Sequence, residues 1–152
     1  MPKNSAEEMK GSAEMKNKYK VNGDATIIYI SYKNEIIETI IDTEDLEKIK
    51  AFPNTWHAHY DNNVKNYYIS GAYICDGRIV NVQLHRLVMN TPKTLMVDHK
   101  NHNTVDNRKY NLRNVTNYEN SQNMIKDNIY KNGKTAEHIE MKKKRQQLKK
   151  AI

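Results

Sequence analysis

The sequence predicts a small α+β protein: an N-terminal strand–helix–strand platform, then a strand–loop–strand–helix module, then a basic helical tail. Three observations carry this. Short runs rich in β-branched and aromatic residues are separated by brief turns, the pattern of antiparallel hairpins. Helix-like stretches are few and short. Finally, 152 residues with 38% apolar content and a mean hydropathy of −0.93 support only a modest core, too small to cover both faces of a large parallel sheet.

Residues 1–20 read as a flexible lead-in, because SAEEMK and SAEMK echo each other without an apolar face. ATIIYISY (25–32), the turn Lys33-Asn34 and EIIETIID (35–42) form a hairpin. Asp42 or Thr43 then caps a helix over 43–52, with acids in its first turn and lysines in its last, as the helix dipole favours. Pro53 stops it. Strands over 55–60, 66–74 and 78–84 follow, turned by Asp61-Asn62-Asn63 and Asp76-Gly77. LHRLVMN (84–90) is a short helix closed by Thr91-Pro92. LMVDH, a long polar loop, RNV and a helix from Thr116 complete the module, and 141–152 adds a charge of +6. The expected division is therefore a lead-in (1–20), a platform (21–84), a module (85–130) and a tail (131–152).

Several classes are excluded early. No apolar run approaches the roughly 20 residues that span a bilayer, and the polar N-terminus lacks a signal-peptide core, so no membrane partner is expected. The single Cys75 permits neither an internal disulfide nor a CxxC zinc knuckle, and fits a cytoplasmic protein. Charge is unevenly divided. Residues 1–70 carry 9 lysines against 11 acids, whereas residues 71–152 carry 16 lysines and arginines against 7 acids, including every arginine. That asymmetry points to a polyanion, with nucleic acid ahead of membrane.

The densest polar cluster is VDHKNHNTVDNRKYNLRNVTNYENSQNM (97–124). Thr116 and Glu119 make an S/T-x-x-E capping box, which starts a helix and sets Asn117, Asn120 and Asn123 or Met124 along one face. A strand–loop–strand–helix hairpin can bring Asp98 opposite Asn120. One carboxylate and one amide oxygen would then share a hard divalent cation, with Asn123 as the alternative amide. His99, alternating with Asp98 along the strand, faces the other way and can reach a water.

This segment resembles the ββα-metal (His-Me finger) motif of HNH endonucleases, in the phage and intron-homing branch. His99 matches the first His of the motif, preceded by Asp98; Asn111 matches the central Asn, and Asn120 the last position, an H-N-N variant. The upstream LHRLVMNTPK is similar too, and the likeness covers about residues 79–126. The resemblance implies that His99 is the general base on a water attacking the scissile phosphorus. It implies one Mg²⁺ or Mn²⁺ on Asp98 and Asn120, and an Asn111 that bonds the loop backbone to hold His99. Arg108, Lys109 and Arg113 are candidates for phosphate contacts, with Arg86, Lys93 and Lys100 beside them. The implied substrate is double-stranded DNA, cut by a phage or intron-encoded homing endonuclease. A monomer would nick, and cutting both strands would take a dimer or two events. A non-catalytic DNA-binding module on the same scaffold and a packaging or restriction nuclease are the alternatives.

Other features have plainer accounts. Glu119 is explained by its cap. His102 reads as a loop residue bonded to backbone, and His85 as a packing residue. His57-Ala58-His59-Tyr60-Asp61 matches H-x-H-x-D but lacks the following ligand, since Asn62 stands there, so it reads as a strand with one polar face. Tyr67, Tyr68 and Tyr73 read as core before base-stacking residues. Lys142, Lys143, Lys144 and Arg145 read as a solvated face, or else as a phosphate-tracking arm.

Overall fold

The computed structural model describes residues 14–122. The chain is a mixed α+β protein of small antiparallel sheets with few, short helices. Its compact units are Met1–Val115 and Thr116–Ile152. The expected platform and the first two strands of the expected module thus belong to one unit.

The first sheet is a meander of β1 (Tyr19–Asn22), β2 (Ala25–Tyr32) and β3 (Glu35–Asp42). The expected hairpin forms with Tyr32 opposite Glu35, and Lys33 takes the left-handed φ of +52° that a two-residue turn needs. Alternation turns Ile28 and Ile30 of β2 and Ile41 of β3 into the core. Strand β1 corrects the expected lead-in. Its four residues are all exposed, so none of them enters the core, and it joins the sheet by pairing with β2 and by the Lys50 ammonium 5.5 Å from the Tyr19 ring centroid. Just before it, Met15 is buried, and the Asn17 amide donates to the Tyr29 and Trp56 carbonyls while accepting from the Trp56 N–H.

The expected 43–52 helix is shorter and split into a 3-10 turn at Thr43–Asp45 and α1 (Leu46–Lys50). Neither Asp42 nor Thr43 caps it. The Thr43 hydroxyl turns instead to the Gly23 carbonyl, and Asp42 accepts the Lys109 N–H. The second sheet comprises β4 (His57–Asp61), β5 (Asn66–Cys75) and β6 (Arg78–Gln83), the last two joined at Asp76-Gly77 with both residues at positive φ. Gly71 on β5 is required by packing: a Cβ there would strike the Phe52 ring, which stacks on Trp56 at 4.0 Å. Helix α2 (Leu84–Met89) buries Leu84, Leu87 and Val88 on one face and ends at Asn90 in the left-handed conformation.

The last pair is β7 (Met96–His99) with β8 (Leu112–Val115), Asp98 opposite Arg113 and His99 opposite Leu112. One core joins these elements: Ile28, Ile41, Phe52, Trp56, Ile69, Val82, Leu84, Leu87 and Leu112 lie in a single buried cluster. The outer edge of β3 is covered by the β7–β8 loop. Ile40 donates to the Val105 carbonyl at 3.0 Å and accepts from the Asn107 N–H at 2.8 Å. This protects an edge that would otherwise offer unpaired backbone groups. No described helix is long and apolar enough to cross a membrane. The expected basic tail (131–152) lies outside the described residues.

Candidate functional site

Strand β7 ends by delivering two polar residues into buried positions, Asp98 at 8% and His99 at 5% exposure. Their neighbours differ because adjacent strand residues face opposite ways. The β7–β8 register brings Arg113 across from Asp98, and its Nε and Nη2 each donate to Asp98 Oδ2 at 2.8 Å. His99 instead enters an aromatic group, its ring centroid 5.4 Å from His85 and 6.2 Å from Tyr68. Tyr68 and His85 lie 5.8 Å apart and close the triangle. The His99 Nε2 is 2.9 Å from Asn107 Oδ1.

This burial sets the charge of both histidines. Desolvation pushes His85 down to about 3, with His99 and Arg86 adding to the effect. Desolvation also lowers His99, against the opposing pull of the Asn107 hydrogen bond and the carboxylates of Asp98 and Asp106. Both imidazoles are neutral at pH 7.

The loop leaving His99 is held from inside. Asn111, buried in a 3-10 turn at Lys109–Asn111, accepts the Asn101 N–H on its side-chain oxygen at 2.9 Å. Its Nδ2 donates to the Asp106 carbonyl at 2.8 Å, and its own carbonyl accepts the Lys100 N–H at 2.7 Å. The Asp106 carboxylate accepts from Arg108, Tyr110 and the Asn101 amide. Burial opposes its charge, but the Arg108 and Tyr110 hydrogen bonds outweigh that and hold it below the usual carboxylate range. His102 sits at a φ of +63° with its N–H on the His99 carbonyl.

Four of the expected phosphate contacts have partners within the chain. Arg113 holds Asp98 and Arg108 holds Asp106. Arg86 donates to the Leu95 and Pro92 carbonyls at 2.8 and 2.9 Å, and Lys109 binds Glu44 and Asp45 at 3.1 and 2.9 Å. The reason is the tertiary fold, which supplies each cation with an oxygen partner distant in sequence or across a turn. Lys93 and Lys100 are exposed. Lys142, Lys143, Lys144, Arg145 and the alternative ligand Asn123 lie outside the described residues.

Asn120 belongs to the second unit, on a helical segment over 117–122. There Thr116 Oγ1 accepts the Glu119 N–H at 3.2 Å, and the Asn120 N–H bonds the Thr116 carbonyl at 3.0 Å. Among the described residues, the three-donor group close enough for one cation is Asp42, Glu44 and Asp45. The Lys109 ammonium already bridges two of its members, so a metal is not required there. The H-x-H-x-D segment does not converge: His57 and His59 are exposed on β4, while Asp61 accepts the Asn63 and Val64 N–H groups of its own turn. Tyr73 is core, whereas Tyr67 packs edge-on against Tyr32 and Tyr60.

Two residues of the site, Asn107 and Thr39, escape a reading of the sequence, and a third, Tyr68, departs from the core position expected for it. Tyr68 faces His99 rather than the core. Asn107 contacts His99, and Thr39 contacts Asn107 through Nδ2 at 2.9 Å. The one sequence signal is Thr39 itself, a polar residue in the inward row Ile37, Thr39, Ile41.

No family model, curated protein or solved structure matches the chain. The site must therefore be read from its own chemistry. It offers a neutral imidazole fixed at a strand end, a carboxylate beside it in contact with a guanidinium, and a loop braced by buried amides.

Proposed function

We propose that the chain is a metal-dependent DNA endonuclease of HNH type, hydrolysing a phosphodiester bond in duplex DNA. One arrangement supports this above all: His99 stands neutral at a strand end beside Asp98, while Asn111 braces the loop that leaves it. An unprotonated imidazole can take the proton of a water attacking the scissile phosphorus. Asn111 keeps that imidazole in place without touching substrate.

Asp98 offers the hard carboxylate oxygens that Mg²⁺ or Mn²⁺ prefers, and the resemblance to the HNH motif implies Asn120 as the second ligand. Such an ion, when bound, supplies positive charge against the negative charge that builds on the phosphate. The exposed Lys93 and Lys100 are candidates to meet backbone phosphates, together with Arg86, Arg108, Lys109 and Arg113. With one such motif per chain, a monomer nicks DNA, and cutting both strands needs a dimer. The biological setting is that of a phage or intron-encoded homing endonuclease acting in the cytoplasm of a host cell. A packaging or restriction role would use the same chemistry.

The test is Mg²⁺-dependent relaxation of supercoiled plasmid, with DNA affinity measured in parallel. His99→Ala should abolish cleavage while binding survives; equal cleavage by that variant sinks the proposal. The Arg113–Asp98 pair favours one second reading, a DNA-binding module whose metal position is filled by a guanidinium. In that case no divalent ion would support cleavage by the unaltered chain.

A further inference from the structure

The hydrogen bonds around His99 carry more than its position, because their donors can be counted. Thr39 on β3 is fully buried, and its hydroxyl oxygen lies 2.7 Å from the Val105 carbonyl oxygen. A carbonyl only accepts, so the single hydroxyl proton of Thr39 must point at Val105. Thr39 Oγ1 then has no proton left for its other close neighbour, the Asn107 amide at 2.9 Å, and can only accept there. That fixes the amide: Nδ2 faces Thr39 and Oδ1 faces His99. The reversed amide would need the Thr39 proton for Asn107, leaving two bare oxygens facing each other at 2.7 Å. Asn107 Oδ1 is itself only an acceptor, so the His99 nitrogen 2.9 Å away must carry a proton.

We infer that Thr39 and Asn107 are positioning residues that hold the His99 proton on Nε2, leaving Nδ1 as the atom able to accept a proton. The chain of bonds runs Val105 carbonyl, Thr39 hydroxyl, Asn107 amide, His99 imidazole, with each donor used once. It is anchored at its far end, because the Ile40 and Asn107 backbone bonds fasten the loop to β3 alongside it. The two positioning residues lie 68 positions apart in sequence, so the first sheet sets the proton position of a residue on the third. The His85 and Tyr68 rings meet the His99 ring edge-on, with centroids 5.4 and 6.2 Å away. The consequence for catalysis rests on the nuclease proposal; the tautomer does not.

Long-range ¹H–¹⁵N correlation spectra of the full chain at about pH 8, above the ordinary imidazole range, read the tautomer directly. The expected spectrum places the His99 proton on Nε2 and a bare, pyridine-like Nδ1. A proton on Nδ1 overturns the inference. Thr39→Val keeps the shape but lets the amide turn, and should convert His99 to a mixture of tautomers. Thr39→Ser should restore the single form. Adding Asn107→Asp to Thr39→Val should restore it too, because a carboxylate presents acceptors in either orientation. A pure Nε2–H form in Thr39→Val would remove Thr39 from the relay. If the chain cleaves DNA, Thr39→Val should lower kcat about tenfold or more with KM little changed. An Nε2–H tautomer in a chain that cuts no DNA would leave this inference standing and remove the nuclease proposal.

Discussion

Arg113 meets Asp98 with two N–H groups on a single carboxylate oxygen, its Nε and Nη2 each 2.8 Å from Oδ2. The pair is asymmetric, with the Arg113 side chain 47% exposed and that of Asp98 11%. The guanidinium can therefore swing toward solvent, whereas the carboxylate cannot follow it. Arg113 thus supplies the positive charge that Asp98 needs when no other cation is there.

Replacing Arg113 by Met should lower stability by about 1–3 kcal/mol, since a largely buried carboxylate loses its counter-charge. Under the proposed function, Mn²⁺ should recover much of that loss and should bind Arg113→Met more tightly than the unaltered chain. Urea melts with and without Mn²⁺, together with calorimetric titration, check both points. A loss that Mn²⁺ leaves unchanged would argue against Asp98 as a ligand.

His85 makes a pH-dependent contribution with a definite sign. Its folded pKa of about 3 lies below the unfolded value of 6.5, so the unfolded chain binds the extra proton. Stability is fully present above pH 6.5 and falls as pH drops through the window toward 3, by up to about 5 kcal/mol. The shift at His99 has the same direction and adds to this. Denaturant melts between about pH 4 and 7.5 should show the slope, and His85→Leu should flatten it. An unchanged slope in that variant would assign the effect elsewhere.

Asn111→Ala should loosen the site without removing any proposed chemical group. It strands the Asn101 N–H and the Asp106 carbonyl, both bonded by the amide, at a cost of about 2–4 kcal/mol. Hydrogen exchange at the backbone of 100–108 should quicken well beyond the global change. Uniform acceleration over the whole chain would mean that Asn111 is no local brace.

Gly71→Ala tests the core that supports the site. The new methyl meets the Phe52 ring and should cost about 1–3 kcal/mol. Phe52→Leu in the same chain should relieve part of it, giving a coupling measurable by a double-mutant cycle. Strictly additive losses would show that the strain lies elsewhere.

Much of this architecture is legible locally. The Lys33-Asn34 hairpin, the Asp76-Gly77 turn and the Thr116 cap each depend on residues a few positions apart, and each occurs where expected. The exceptions share one cause. Strand β1 is only four residues long and exposed throughout, so its brief Tyr19–Val21 alternation is too short to announce it, and pairing with β2 defines it. The 43–52 helix loses its cap because Thr43 and Asp42 find partners at Gly23 and Lys109.

The same division runs through the site. The sequence by itself determined the residues at 98, 99 and 111, the short strand that carries the first two and the one that follows the third, and a charge balance that sets a basic C-terminal half against an acidic N-terminal one. Only the tertiary structure decided what those residues touch. Asp98 faces Arg113 because of a strand register, and His99 is neutral because His85, Tyr68 and the core exclude water from it. Its proton position depends on Thr39, a residue of another sheet. Local propensity needs only neighbours in the chain, whereas a buried polar group takes its charge and its proton from whatever the fold brings within about 3 Å.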